Sequence, residues 1–296
     1  MDRCQICGCQ NNSVVYYGKI RDGGLGRYTQ NNVSMIQCAN CKVIWHNKLI
    51  EDQKEYYQTS KYRVELEGKS DEDSFYDNHD KESYDKFRYC GVKRFRNKVV
   101  ADVGCGAGAF LDCVSGLSNK VVAIEPSMEY RRALVEKKYS VYGYMEEALA
   151  DWKEKIDILV SFDVIEHVDD PEEFMSLTYQ LLREGGEAII GTPTDAPVMR
   201  KLLGDVYEKK VLFSVQHPWI FSKKSLELLA NSAGFNDFDI RYFQRYEIWN
   251  LLGWLISKEP NSDVSPIFNN SALSEVWKRE CEISEMADYI VIYAKK

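Results

Sequence analysis

Lys98-Val-Val-Ala-Asp-Val-Gly-Cys-Gly-Ala-Gly-Ala-Phe-Leu111 is the stretch whose reading decides the fold. The apolar run to Val103 predicts a buried strand, the glycines at 104, 106 and 108 a turn, and Ala109-Phe110-Leu111 the start of a helix. Glycine at such a turn adopts positive φ and lets a ligand approach the backbone with no Cβ in the way. A second apolar strand, Val121-Val-Ala-Ile124, ends in Glu125, 21 residues after Gly104, where a carboxylate can accept two ribose hydroxyls. A dinucleotide fold would carry G-x-G-x-x-G, so that a helix amino end cradles a pyrophosphate. This turn is G-x-G-x-G, preceded by Asp102. A carboxylate there repels a pyrophosphate and pairs with an ammonium, so the spacing points to a cationic amino-acid nucleoside.

With those residues in place, the sequence resembles the class I S-adenosylmethionine-dependent methyltransferases. Ala101-Asp-Val-Gly-Cys-Gly-Ala-Gly108 looks like their first motif and Ile124-Glu125-Pro126-Ser127 like the acidic second. Phe162-Asp-Val-Ile-Glu-His-Val168 resembles the fourth-strand motif of the ubiquinone-biosynthesis type, and Leu181-Leu-Arg-Glu-Gly-Gly186 the segment before strand five. The resemblance implies S-adenosylmethionine as cofactor. It also implies that Gly104, Cys105, Gly106 and Gly108 wrap the methionine end with Asp102 near its ammonium. Glu125, Pro126 and Ser127 would hold the ribose, Tyr144 and Met145 after Gly143 would flank the adenine, and Phe162, Asp163 and Val164 would line the methionine side with His167 close behind. Cys105 reads as a small filler rather than a reactive thiol.

The remaining core follows in order. Asp157–Phe162 predicts a buried strand, Pro171 the first turn of a helix ended by Gly185-Gly186, and Glu187–Gly191 the next strand. Ser222 predicts a helix cap, Gly234 its stop, and 237–243 and 287–293 the last two strands. Strands alternating with helices imply an α/β, Rossmann-like, doubly wound sheet, and the family adds an antiparallel last strand. Residues 51–97 read as a connecting region of loops and one helix over 80–95, with an apolar stripe of Tyr84, Phe87, Val92 and Phe95. Residues 98–296 read as the core, with a helical insertion at 246–284. Its apolar run Ile248–Ile256 suits a cover over the acceptor pocket, a homodimer contact or attachment to a membrane surface.

Five of nine cysteines fall in the first 41 residues. Cys4-x-x-Cys7 and Cys38-x-x-Cys41 repeat one gap, which lets four thiolates converge on a tetrahedral ion. Strands at 14–17 and 33–36 around Asp22-Gly23-Gly24 complete a zinc-ribbon plan over residues 1–50, with Cys9 the alternative to Cys7. Four thiolates leave no open position, so the zinc is expected to be structural. A zinc module, this core and a histidine before Phe221-Ser222 resemble the zinc-containing deoxysugar methyltransferases. C-methylating members carry Tyr-x-Glu-His there, whereas this chain has Ser214-Val215-Gln216-His217. That departure points to O-methylation of a sugar, nucleotide-linked or in a glycan or natural product, with His217 as general base. Methylation of another small-molecule N- or C-acceptor and a non-catalytic cofactor- or partner-binding role are the competing readings.

Composition bounds these readings. The chain has 296 residues and a net charge of -8, so it lacks the basic field that nucleic-acid partners need. No run of 18 apolar residues or amino-terminal leader is evident, which sets a cytoplasmic location as the expectation.

Overall fold

The computed structural model describes residues 3–47, 49–50, 52–59, 61–260 and 271–296. The elements run β1 (Asn12–Gly18), β2 (Val33–Cys38), β3 (Ile44–Trp45), α1 (Gln53–Gln58), α2 (Lys61–Glu67), α3 (Glu72–Cys90), β4 (Val99–Val103), α4 (Ala109–Ser115), β5 (Lys120–Ile124), α5 (Met128–Glu136) and β6 (Ser140–Tyr142). Then come α6 (Met145–Trp152), β7 (Ile156–Phe162), α7 (Pro171–Leu181), β8 (Leu182–Pro193), α8 (Pro197–Leu203), α9 (Asp205–Tyr207) and β9 (Trp219–Ile220). The chain closes with α10 (Lys223–Ala233), β10 (Asp237–Phe243), α11 (Ile248–Ser257), α12 (Ser271–Ile283) and β11 (Tyr289–Lys295).

Seven strands form the large sheet in the order β10-β11-β8-β7-β4-β5-β6. The central strands are parallel, with Val103 opposite both Ile124 and Ser161, so the ends of β4, β5 and β7 fall level. The last strand is reversed as expected: Gly185 N–H donates to Lys296 O (2.9 Å), and Lys296 N–H returns to Gly186 O (3.0 Å). Val100, Ala101, Leu159 and Val160 on the inner strands are fully buried, as strands covered on both faces require.

The chain divides into two compact units. The second, residues 50–190, 229–239 and 292–296, corrects two expectations. Residues 51–97 form three helices rather than one. Asp71 caps α3 by accepting from Ser74 N–H (3.0 Å), nine residues before the start read from the apolar stripe. Phe87 and Phe95 of that stripe are buried, but Tyr84 and Val92 are exposed, and Phe75 and Cys90 take their places in the core. Gly185-Gly186 does not end a helix either, since α7 stops at Leu181 and both glycines lie inside β8. The reason is close packing: a Cβ on Gly186 would come within 2.9 Å of the Arg183 and Ile156 carbonyl oxygens. Asp170 and Pro171 open α7 as expected, the Asp170 carboxylate accepting from the N–H groups of Glu172 and Glu173.

The first unit, residues 1–49, 191–228 and 240–291, contains a four-stranded sheet in the order β1-β2-β3-β9. Its β1–β2 hairpin contains the strands predicted at 14–17 and 33–36, and a fourth strand comes from Trp219-Ile220, which pairs with Trp45 and Ile44. Ser222 caps α10 as predicted, exchanging bonds with Ser225. The insertion at 246–284 supplies α11 and α12, with 261–270 outside the described residues. Within the apolar run Leu251, Gly253 and Trp254 are buried, the Trp254 ring lying 5.8 Å from that of Tyr207, while Leu255 and Ile256 face outward. Among the described residues no helix is long and apolar enough to cross a membrane.

Candidate cofactor pocket and cysteine cluster

A cavity of about 450 Å³ opens in the second unit at the carboxyl ends of β4, β5, β6 and β7. In open α/β sheets this is where ligands bind, because the strand ends leave a crevice and the loops that follow are free to carry polar groups. The predicted residues Gly104, Glu125, Pro126, Ser127, Tyr144, Met145, Asp163, Val164 and His167 all line it. Gly104 has φ +76°, and a Cβ built on it would meet Val164 Cγ2 at 2.3 Å, so backbone and side chain are in contact across the cavity floor.

Glu125 is buried, and its two carboxylate oxygens accept from Gly106 N–H and Ser127 N–H, each at 2.8 Å. Those bonds fix the carboxylate and leave each oxygen a further lone pair for a hydroxyl donor. Burial pushes its pKa up; the Ser127 and Gly106 N–H groups and the positive charges of Arg63 and Arg131 act the other way. A pocket of this size, with a glycine floor that a Cβ would fill and a fixed carboxylate at its side, fits an adenosyl-amino-acid cofactor.

The other predicted residues of the second unit lie outside the pocket lining. Asp102 is buried at the end of β4; desolvation pushes its carboxyl pKa well up and the ammonium of Lys86 acts against that. Lys86, from α3, pairs with Asp163 (2.6 Å) and Glu82 (2.9 Å) and sits 5.2 Å over the Phe162 ring. Cys105 is buried, and desolvation raises its thiol pKa well above the ordinary value. Gly106 and Gly108 continue the turn with positive φ. His217 belongs to the first unit, in a turn where its N–H donates to Ser214 O (3.1 Å).

One face of the pocket was not legible from the motifs. Helices α1 and α2 contribute Lys54, Tyr57, Tyr62 and Arg63. The Tyr57 hydroxyl lies 3.1 Å from His167 Nδ1, and Tyr57 and Tyr62 meet edge to face at 4.8 Å. Burial raises the Tyr57 phenol pKa well above its usual range, so at neutral pH it is an uncharged partner for the imidazole. The density of tyrosines over 56–62 was the available signal, but it carries no period that assigns a face.

Arg63 is held by Glu67 (2.5 Å), which also bonds His79 Nε2 (3.0 Å). Burial would raise the Glu67 pKa, yet His79 and Arg63 outweigh it and bring the carboxyl from 4.5 down to about 2. Because the folded value lies below the unfolded one, the stabilisation is present above pH 4.5 and is lost as pH falls toward 2. Glu67→Gln should therefore flatten the acid limb of thermal stability in that window by on the order of 2–3 kcal/mol, read by calorimetry at stepped pH. An unchanged acid limb would show that the network contributes nothing.

In the first unit, the Sγ atoms of Cys4, Cys7, Cys38 and Cys41 all lie within 4.8 Å of one another. Cys4 and Cys41 are 3.7 Å apart and Cys7 and Cys38 3.4 Å, close to the edge of about 3.8 Å that thiolates on a tetrahedral ion at about 2.3 Å define. Cys9 stands outside, its thiol 3.7 Å from Asn11 O, which settles the choice between it and Cys7 as the fourth member of the cluster. The four residues could hold a soft divalent metal with no vacant position.

The fold is the α/β, Rossmann-like one of methyltransferases, and its pocket has the glycine turn at its floor and the fixed Glu125 carboxylate at its side. The family described as "Methyltransferase domain" matches residues 76–239, more than half of the chain, and the chain belongs to that family. It is an S-adenosylmethionine-dependent methyltransferase. The ubiquinone biosynthesis O-methyltransferase of Ruegeria sp. (strain TM1040) is 28% identical over 170 residues, 54% of this chain and 67% of that protein. The mitochondrial ubiquinone biosynthesis O-methyltransferase of Rattus norvegicus is 29% identical over 151 residues, 46% of this chain and 43% of that protein. A SAM-dependent methyltransferase from Archaeoglobus fulgidus superposes with a TM-score of 0.51 at 19% identity, covering 76% of this chain and 97% of that one, and supports the fold alone.

Proposed function

We propose that the protein O-methylates a sugar hydroxyl, on a nucleotide-linked sugar or within a glycan or natural product, in the cytoplasm. In this reading Cys4, Cys7, Cys38 and Cys41 hold a structural zinc ion. The cofactor supplies a methyl group already activated on a sulfonium, so the protein's tasks are to place the acceptor in line and to take its proton. Gly104, Cys105, Gly106 and Gly108 would wrap the methionine end beside Asp102, Phe162, Asp163 and Val164. Glu125, Pro126 and Ser127 would hold the ribose and Tyr144 and Met145 the adenine. His167, fixed by Tyr57, would shape the reacting end, and His217 would be the general base.

The observation that carries the choice of a hydroxyl acceptor is the residue before His217. Gln216 is a neutral, buried amide whose Oε1 accepts from Gly23 N–H (3.1 Å) and Ser214 Oγ–H (2.8 Å). It is committed to holding the loop rather than to acid–base work, which leaves a histidine to remove a single hydroxyl proton. A phenolic hydroxyl is the second reading, favoured by the likeness to ubiquinone biosynthesis O-methyltransferases.

His217→Ala should lower turnover by about 10²-fold while leaving S-adenosylmethionine affinity within about twofold. Assays against nucleotide-linked deoxysugars and catechols in parallel, read as methylated product by mass spectrometry, separate the two acceptors. Wild-type turnover in the variant would remove His217 from the chemistry, and methylation of catechols alone would replace the sugar.

A further inference from the structure

Within the segment 213–222 His217 N–H donates to Ser214 O, and the Ser214 hydroxyl donates to Gln216 Oε1 and accepts from Gln216 N–H. Several of its other polar groups bond amino-terminal residues of the same unit. Arg21 N–H donates to Phe213 O (3.0 Å) and Val215 N–H to Arg21 O (2.9 Å), while His46 N–H donates to Pro218 O (3.2 Å). The buried His46 ring spans two carbonyls, with Nδ1 2.6 Å from Asn47 O and Nε2 3.1 Å from Ser214 O. Gly23 N–H meets Gln216 Oε1, and the Ser222 hydroxyl donates to the carbonyl oxygen of Cys41 at 2.6 Å. That last bond ends on one of the four clustered cysteines.

The edge that receives Trp219-Ile220 is short. β3 is two residues long and is joined to β2 by the turn that carries Cys38 and Cys41. The two-residue pairing of β3 with β9 adds little by itself, and closing four thiolates on one ion beside it supplies a further constraint.

We infer that metal binding at Cys4, Cys7, Cys38 and Cys41 positions the loop that carries His217, with His46, Gln216 and Ser222 as the positioning residues. The amino-terminal module is then a scaffold for the acceptor-side segment rather than a separate recruiting domain. The significance for catalysis rests on the His217 reading proposed above; the coupling itself does not, and its test needs no acceptor.

The experiment is hydrogen exchange on the full-length protein, zinc-loaded, stripped by a chelator and reloaded with zinc ion alone. On stripping, amides of 36–46 and 213–222 should lose protection together, by about 10²-fold or more, and regain it on reloading. Amides of β4, β5 and β7, and S-adenosylmethionine affinity, should change by less than about twofold, since cofactor pocket and strands belong to the other unit. Gln216→Ala, which leaves every thiolate in place, should keep its zinc and raise exchange at 213–217 by about 10-fold. Faster exchange at 36–46 with 213–222 unchanged would overturn the coupling, and so would loss of protection throughout the chain, which would make the metal a general stabiliser. Failure here leaves the His217 reading to its own kinetic test.

Discussion

Cys41→Ser is expected to release the zinc proposed above and to lower the unfolding temperature of the first unit. The hydroxyl of serine stays protonated at neutral pH, so the site loses one of four anionic ligands and the geometry that matched a tetrahedral ion. Apparent binding free energies of about 10–16 kcal/mol for structural zinc in small modules appear as folding free energy, because the unfolded chain presents no site. Losing about 4 kcal/mol of that corresponds to a drop of about 8–16 °C for a unit of this size. Zinc content measured by elemental analysis should fall from one ion per chain to background, with calorimetry reporting the shift. Cys9→Ser is the internal control: its thiol lies outside the cluster, so metal content should not change and stability should move by no more than about 0.5 kcal/mol. Full zinc content and an unshifted transition in Cys41→Ser would refute the four-thiolate site.

What the sequence made legible follows the range of the interactions involved. The paired cysteine gaps, the glycine turn and Glu125 are local signals, and the structure brings together four cysteine sulfurs in one cluster, and Gly104 and Glu125 on one crevice. Interactions between residues far apart in the chain left no such mark. Trp219-Ile220 is too short to read as a strand, and it becomes one only because Ile44 and Trp45 offer an edge. Helices α1 and α2 lack an apolar period because their buried face is made of tyrosine rings and an ion-paired arginine rather than aliphatic side chains. Lys86 reads from sequence as a solvated charge, yet it is drawn inward by Asp163 and Glu82, and its charge acts on the buried Asp102. The same effect moved the start of α3: its amino-terminal half presents Phe75 to Ala107 and Tyr130, a cluster that a stripe counted from Tyr84 onward could not contain.

Gly104→Ala should weaken S-adenosylmethionine binding by about 10²-fold or more, and two independent costs lead to that result. The residue sits at φ +76°, where an L side chain costs about 1 kcal/mol or more, so the turn itself resists the change. Its new Cβ would also stand 2.3 Å from Val164 Cγ2, far inside contact distance. Relief requires Val164 to retreat, and the Val164 carbonyl accepts the His167 N–H at 2.9 Å, so the turn holding Asp163, Val164 and His167 on the pocket wall must move with it. On the other side Gly104 N–H donates to Ile124 O at 2.7 Å, immediately before Glu125, which ties the same displacement to the Glu125 carboxylate. A shift of about 1 Å shared by both walls weakens affinity by about 10²-fold or more, a change that calorimetric titration of the full chain resolves. Gly116→Ala separates this from a general effect of adding a methyl group, because Gly116 has helical φ and open space around it, and its affinity should match the parent. Parent-like affinity in Gly104→Ala would mean that the cofactor does not rest on this turn, and the roles assigned to Glu125 and its neighbours would fall with it.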